Sequence, residues 1–273
     1  MGPSFCGVSA DRRPSPIWSS LSLTRKFQHP VGWYGFNAGS ALLLGIDNSG
    51  GVGALAAANT SIGAGAGGMG ALLSYWLYYY VKLGESRLDL PSFMNGVLSG
   101  LVGITAGCGT IELWAAAIIG FVAGMMFHLG KYALELLCID DAVDAVPVHL
   151  FSGIWGMIAV GLFSTPKLVG VAFGSTEYHG LFYGDWRLFV NQLVAIGSIF
   201  MWSSLTTIPF FVALSRAGML RTLGLEEVVG LDVKYHGENP DADNEIHDEI
   251  RSFKTELDRS RRGKSAAEAA PDE

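Results

Sequence analysis

NSGGVGALAAANTSIGAGAGGMGALLSYWLYYYV, residues 48–81, runs without a single charged side chain. A bilayer core takes about 20 apolar residues in helical form, and this stretch exceeds that. Its centre, GAGAGGMG at 63–70, superficially resembles a phosphate-binding loop. No strand–helix context surrounds it, so the glycines read as a helix-packing surface. Small residues let helix backbones approach closely in lipid.

The same reading extends in both directions. Windows 90–111, 113–130, 145–166 and 188–215 are also uncharged, and 27–46 is a sixth with a poor start at Gln28, His29 and Pro30. In lipid only helices or closed barrels satisfy the backbone, and these windows are far longer than barrel strands of about ten residues. They predict helices. Gly96, Gly100 and Gly103 repeat the small-residue pattern, and Gly120 with Gly124 forms a GxxxG. The sequence therefore predicts an all-α polytopic membrane protein, a compact bundle. Turn-forming connections are expected at 46–51, 82–91 and 138–144, with the longest running from Ser164 to Asp185.

Composition agrees. Half of the 273 residues are hydrophobic and 16% are charged, against about 25% charged in soluble domains; mean hydropathy is +0.35. Of the 43 Asp, Glu, Lys and Arg residues, 22 fall in 217–273, which carries −6 of the net −7. This excludes an ordinary cytosolic enzyme, a disordered protein and a nucleic-acid binder. Three parts follow. Residues 1–29 form an atypical, Pro- and Arg-containing N-terminal segment expected to be disordered, without a signal-peptide core. Residues 30–216 form a membrane domain of about six helices, the first incomplete, and 217–273 form a charged tail. Lys82, Arg87, Lys131 and Arg216 lie on alternate sides from Lys167, which puts the tail in the cytoplasm; Arg187 counts against this. Within the tail, Ile246, Ile250, Phe253 and Leu257 recur with helical period.

Polar residues inside the spans are functional candidates by default. His149, in DDAVDAVPVHLFSGIWG, stands well inside an uncharged window. Its imidazole can both accept and donate a proton, which suits a pore passing a small polar molecule. A buried neutral histidine bonded to a neighbouring helix is an equal alternative. Asp144 reads as a cap fixing the segment that carries His149, ahead of a solvated edge carboxylate. His128 has Lys131 and Glu135 within two turns and reads as structural. Asn37, Asn59, Thr60, Asn95 and Thr105 read as helix cross-links, and Trp76, Tyr78, Tyr79 and Tyr80 as an interfacial belt. Cys6, Cys108 and Cys138 have no paired spacing and read as structural. Neither a metal nor a cofactor is called for.

Five stretches carry a resemblance: GWYGFNAGSA at 32–41, AANTS at 57–61, NGVLSGLVGITAGCG at 95–109, DDAVDAVPVHLFSGIWG at 140–156 and GLDVKYHGE at 230–238. In order and spacing they resemble the Amt/Mep/Rh ammonium transporter family, closer to the Amt branch, over about residues 31–238. The resemblance implies a fold of eleven helices, two five-helix inverted repeats around one pore plus a final helix, assembled as a trimer. This chain matches the second half of it. His149 then corresponds to the second of twin pore histidines, Phe36 to a phenylalanine gating the outer mouth, and Ser40 to a serine holding ammonium there. Asp144 corresponds to a carboxylate near the cytoplasmic end of the histidine-bearing helix. Gly230, Asp232, His236 and Gly237 correspond to a tail motif coupling subunits, with Leu231 where Met is common.

The implied function is ammonium transport: recruitment at an outer mouth, then passage of ammonia along a hydrophobic, histidine-containing pore. Expected partners are ammonium or ammonia, the lipid bilayer, and a homotrimer or a heterotrimer with related transporters, at the plasma membrane. The chain is expected to hold an incomplete pore, as a truncated gene model or a degenerate copy. The alternative is a non-conducting regulatory or sensor subunit associating with full-length transporters. An enzyme built on His149 and Asp144 lacks a second intramembrane acid or ligand set.

Overall fold

The computed structural model describes residues 31–40, 49–141 and 143–220. Residues 31–40 belong to a first helix, α1. It is followed by α2 (Ser49–Leu83), α3 (Leu90–Thr105), α4 (Leu113–Leu136), a π-helical turn (Val146–Phe151) continuing into α5 (Ser152–Phe163), a short α6 (Pro166–Phe173), a 3-10 turn (Leu181–Tyr183) and α7 (Arg187–Arg216). No strand occurs among the described residues. The expectations for 1–29 and for the tail helix at 246–257 lie outside them.

Helix boundaries follow local chemistry. α2 stops at Gly84, whose φ of 67° reverses the chain and whose N–H donates to the Tyr80 carbonyl at 3.0 Å. Lys82 sits at the negative end of the dipole. α3 starts at Asp89, whose carboxylate accepts the Ser92 N–H at 2.8 Å, with Pro91 in the first turn. It breaks off at Thr105, where AGCGTIE at 106–112 leaves backbone groups without helical partners. Asn59, fully buried on α2, donates from Nδ2 to the carbonyls of Cys108 (2.8 Å) and Ile111 (3.0 Å) and so closes that gap.

Glycines set the packing of α2 against α3 and α4, its main neighbours. A Cβ on Gly67 would stand 2.6 Å from the Gly100 Cα, one on Gly120 2.7 Å from the Gly63 Cα, and one on Gly124 2.7 Å from the Ala71 nitrogen. Three backbones therefore meet with no side chain between them, and GAGAGGMG is their shared surface. α5 approaches α3 in the same way, a Cβ on Gly156 falling 2.7 Å from the Gly103 carbonyl oxygen. Beside this seam Ile104, Ile111, Ala115, Ala116 and Ile119 form the main core.

By length and composition three helices among the described residues can cross a membrane: Leu113–Leu136, Val146–Phe163 and Arg187–Arg216. α2 is not among them, because its glycines lower its hydropathy, and α3 is only 16 residues long. The connection from Ser164 to Asp185 is not a plain loop. Thr165 caps α6 by accepting the Leu168 N–H, Pro166 opens the helix, and Gly174 at φ 73° ends it.

Contacts divide the chain at Ile199/Phe200, inside α7. In the first unit the α7 backbone at Phe189 lies against Gly161. In the second, Phe200, Met201, Trp202, Leu205, Ile208 and Phe210 are all exposed around a helix that runs on through Pro209. A helix apolar all round is one whose solvent is lipid or other helices.

Candidate functional site

Pro147 brings no N–H to the helical ladder, and the backbone over Val146–Phe151 runs in π register before settling into α5. Single π turns inside α-helices recur at functional sites because they re-aim a side chain. Here the turn carries His149 on an exposed face, while its neighbours Pro147 and Val148 are buried. Val148 packs with Ala71 and Phe127; Phe151 and Pro147 close over Gly130; Ser152 is fully buried, its hydroxyl 3.4 Å from the Ala123 carbonyl. The turn is fixed on its inner side and free on its outer side. Among the described residues the His149 ring makes no hydrogen bond, so both nitrogens are available. The alternative of a buried, hydrogen-bonded histidine does not describe it.

Asp144 departs from its expected role. The N–H groups of Ala145 and Val146 are accepted by Asp141, at 3.0 and 2.7 Å, so Asp141 supplies the cap. Asp144 takes a left-handed φ of 56°, which Asp tolerates better than most residues. This turns its carboxylate away from the helix start and towards two other helices. It accepts from Asn95 Nδ2 of α3 at 2.9 Å, and Lys131 Nζ of α4 stands 3.3 Å from its Oδ1.

On α1, Phe36 is 60% exposed and packs edge-on against Trp33, with ring centroids 5.4 Å apart. The Ser40 hydroxyl donates to the Phe36 carbonyl of its own helix, which leaves the oxygen lone pairs as acceptors. Asn37, buried, donates to Thr60 Oγ1 at 2.9 Å, and Thr60 bonds the Ala56 carbonyl, which ties α1 to α2. Phe36 thus lies near the level of Thr60 and His149 near that of Ala71. The eleven-residue step from Thr60 to Ala71 is about 16 Å along α2 at 1.5 Å per residue. No direct contact joins Phe36 or Ser40 to His149 among the described residues.

Trp33 is the residue sequence reasoning passed over. Its three-residue spacing from Phe36 puts both rings on one helix face, a signal present in GWYGF. Asn37, Asn59, Thr60 and Asn95 do cross-link elements, whereas Thr105 bonds back to Leu101 of its own helix. His128 lines a cleft of about 850 Å³ with Tyr75, Lys82, Lys131 and Tyr132. Its buried Nε2 has no partner among the described residues. At the other end of the bundle Arg187 binds Asp185 through Nε at 3.0 Å and Glu177 through Nη1 at 3.3 Å. The guanidinium holds the Asp185 carboxyl below the usual carboxylate range.

With this geometry in place, the comparisons are specific. The model of the Ammonium Transporter Family matches residues 30–240. The chain belongs to that family. It is 36% identical over 242 residues to ammonium transporter Amt2 of Archaeoglobus fulgidus, covering 86% of this chain and 49% of that relative. It is 36% identical over 208 residues to the ammonium transporter of Bacillus subtilis, covering 76% and 48%. Among solved structures, Candida albicans Mep2 superposes with a TM-score of 0.65 at 24% identity, over 80% of this chain and 48% of that one. A structure described as a sensor Amt protein superposes at 0.62 and 28% identity, over 79% and 49%. The chain therefore spans about half the length of the relatives it matches. Membership fits a helical protein with several apolar helices. Gly230, Asp232, His236 and Gly237 lie outside the described residues.

Proposed function

We propose that the chain takes part in ammonium transport across a membrane, with the exposed face of the π turn at His149 as one wall of the ammonia path. Family membership supports the substrate. The single observation that supports the wall is His149 itself, an imidazole held on a packed turn with no hydrogen bond among the described residues.

Desolvation sets the problem. A bare cation at mid-bilayer costs about 3 kcal/mol or more, so ammonium is recruited where part of that cost is offset. The exposed ring of Phe36 and the half-buried ring of Trp33 supply cation–π contact, about 0.5–2 kcal/mol per ring, and the Ser40 oxygen accepts an N–H. Ammonium gives up its proton to water at this exposed mouth, and neutral ammonia moves along the apolar face. His149 donates to the ammonia nitrogen or accepts from it through whichever ring nitrogen suits. The exposed His149 face needs an opposing wall to exclude water, and that wall is not among the described residues. On the resemblance we place the protein in the plasma membrane with a cytoplasmic C-terminus, in a homotrimer or with related transporters.

A second reading, a non-conducting regulatory or sensor subunit, draws on the same open face and on the likeness to the sensor Amt structure. Uptake of 15N-ammonium by ammonium-transport-deficient cells separates the two. Uptake by cells expressing the full chain, lost in His149→Ala, supports conduction. No uptake by the chain alone, with altered uptake when a full-length relative is co-expressed, supports the subunit. No effect in either arm defeats both.

A further inference from the structure

We propose that Lys131 and Asn95 are positioning residues for His149, acting through Asp144. This rests on the reading of His149 as the path-lining group, but its test does not depend on transport.

The π turn begins immediately after Asp144 and Ala145. Three anchors fix where it starts. Asp141 accepts the first N–H groups from the N-terminal side. The Asp144 carbonyl accepts the Val148 N–H at 3.1 Å, inside the turn. The Asp144 carboxylate then binds Asn95 of α3 and Lys131 of α4. Only the last of these refers the turn to the rest of the bundle through polar contacts. The left-handed backbone at Asp144 is what lets its carboxylate face α3 and α4 while its carbonyl faces along the turn. Such a conformation persists where its surroundings over-determine it. Asn95 is 5% exposed and is fixed within the seam of α3. The Lys131 and Asp144 side chains are 44% and 21% exposed. The pair is thus screened enough to be modest in energy yet placed where a small shift is passed on. Between Asp144 and His149 lie one turn of backbone and the buried Pro147 and Val148, so a change in the anchor rotates the ring rather than dissipating in a loop.

Lys131 is the informative member, because its ammonium is distant in sequence from the turn and it is not itself in the packed core. The readout is the rate at which His149 is carbethoxylated by diethyl pyrocarbonate. It is measured by site-resolved mass spectrometry on the full chain in lipid nanodiscs, with His179 of the outer connection as internal reference. Lys131→Met should change the His149 rate relative to His179 by roughly twofold to fivefold, the scale of one partly exposed ion pair. Lys131→Arg, which keeps the charge, should restore it. Should Lys131→Met not give a folded protein, Asp144→Asn, nearly the same shape, is read in the same way. An unchanged His149 rate in the neutral variant overturns the proposal. So does failure of Lys131→Arg to restore a lost rate, since that would make Lys131 a matter of bulk alone. Absence of ammonium uptake by the native chain would defeat the transport reading and leave this measurement standing.

Discussion

At residue scale the chemistry concentrates where backbone and side chain disagree with a plain helix. His149 stands on a π turn, Asp144 on a left-handed residue, and Asp185 just before α7, where its carboxylate accepts both the Arg187 N–H at 2.9 Å and the Arg187 guanidinium. The last of these yields a pH prediction. A free Asp titrates near about 3.9, and Asp185 in the fold is held lower by Arg187. A depressed carboxylate contributes stability that is fully present above the unfolded value and is lost as pH falls through the folded one. Native protein should therefore be more heat-resistant than Asp185→Asn at neutral pH, and the difference should shrink below about pH 4. Melting curves of the two across that range check it; a gap independent of pH would remove the ionic explanation.

At the scale of elements, the glycine seam makes the sharpest claim. Gly124 and Gly65 stand on glycine-rich helices, but a Cβ on Gly124 meets the α2 backbone, whereas one on Gly65 meets nothing within 4 Å. Gly124→Ala should cost about 1–3 kcal/mol through overpacking. Gly65→Ala should be neutral or stabilising by up to about 1 kcal/mol. Thermal stability of the purified variants in detergent discriminates; equal effects would mean the seam does not carry the packing. The seam was legible in the sequence because glycine spacing reports close approach directly. The long spans were legible because charge is excluded from them over whole windows. α6 was not read, although Thr165, Pro166 and Gly174 spell its start and stop, since a helix of eight residues offers too few turns to show periodicity. The π turn was illegible for a different reason. Its register depends on which groups anchor its ends, and Asp144 takes left-handed φ where its carboxylate meets Asn95 and Lys131. Local rules assigned the cap to Asp144; tertiary contacts gave it to Asp141.

At the scale of the molecule, the first unit carries both the core and the candidate site. The core lies among α2, α3, α4 and α5, while the His149 and Phe36 side chains are exposed. On the proposed function, the exposed His149 face is one wall of a conduit. On that proposal, ammonia passes along this face once assembly of the chain supplies the opposing wall. The most direct test is ammonium flux into liposomes holding the purified full chain, followed by 15N accumulation down an imposed gradient. Flux above that of protein-free liposomes, falling to their level in His149→Ala, is expected. Flux indistinguishable from protein-free liposomes, or flux that His149→Ala leaves intact, would contradict it.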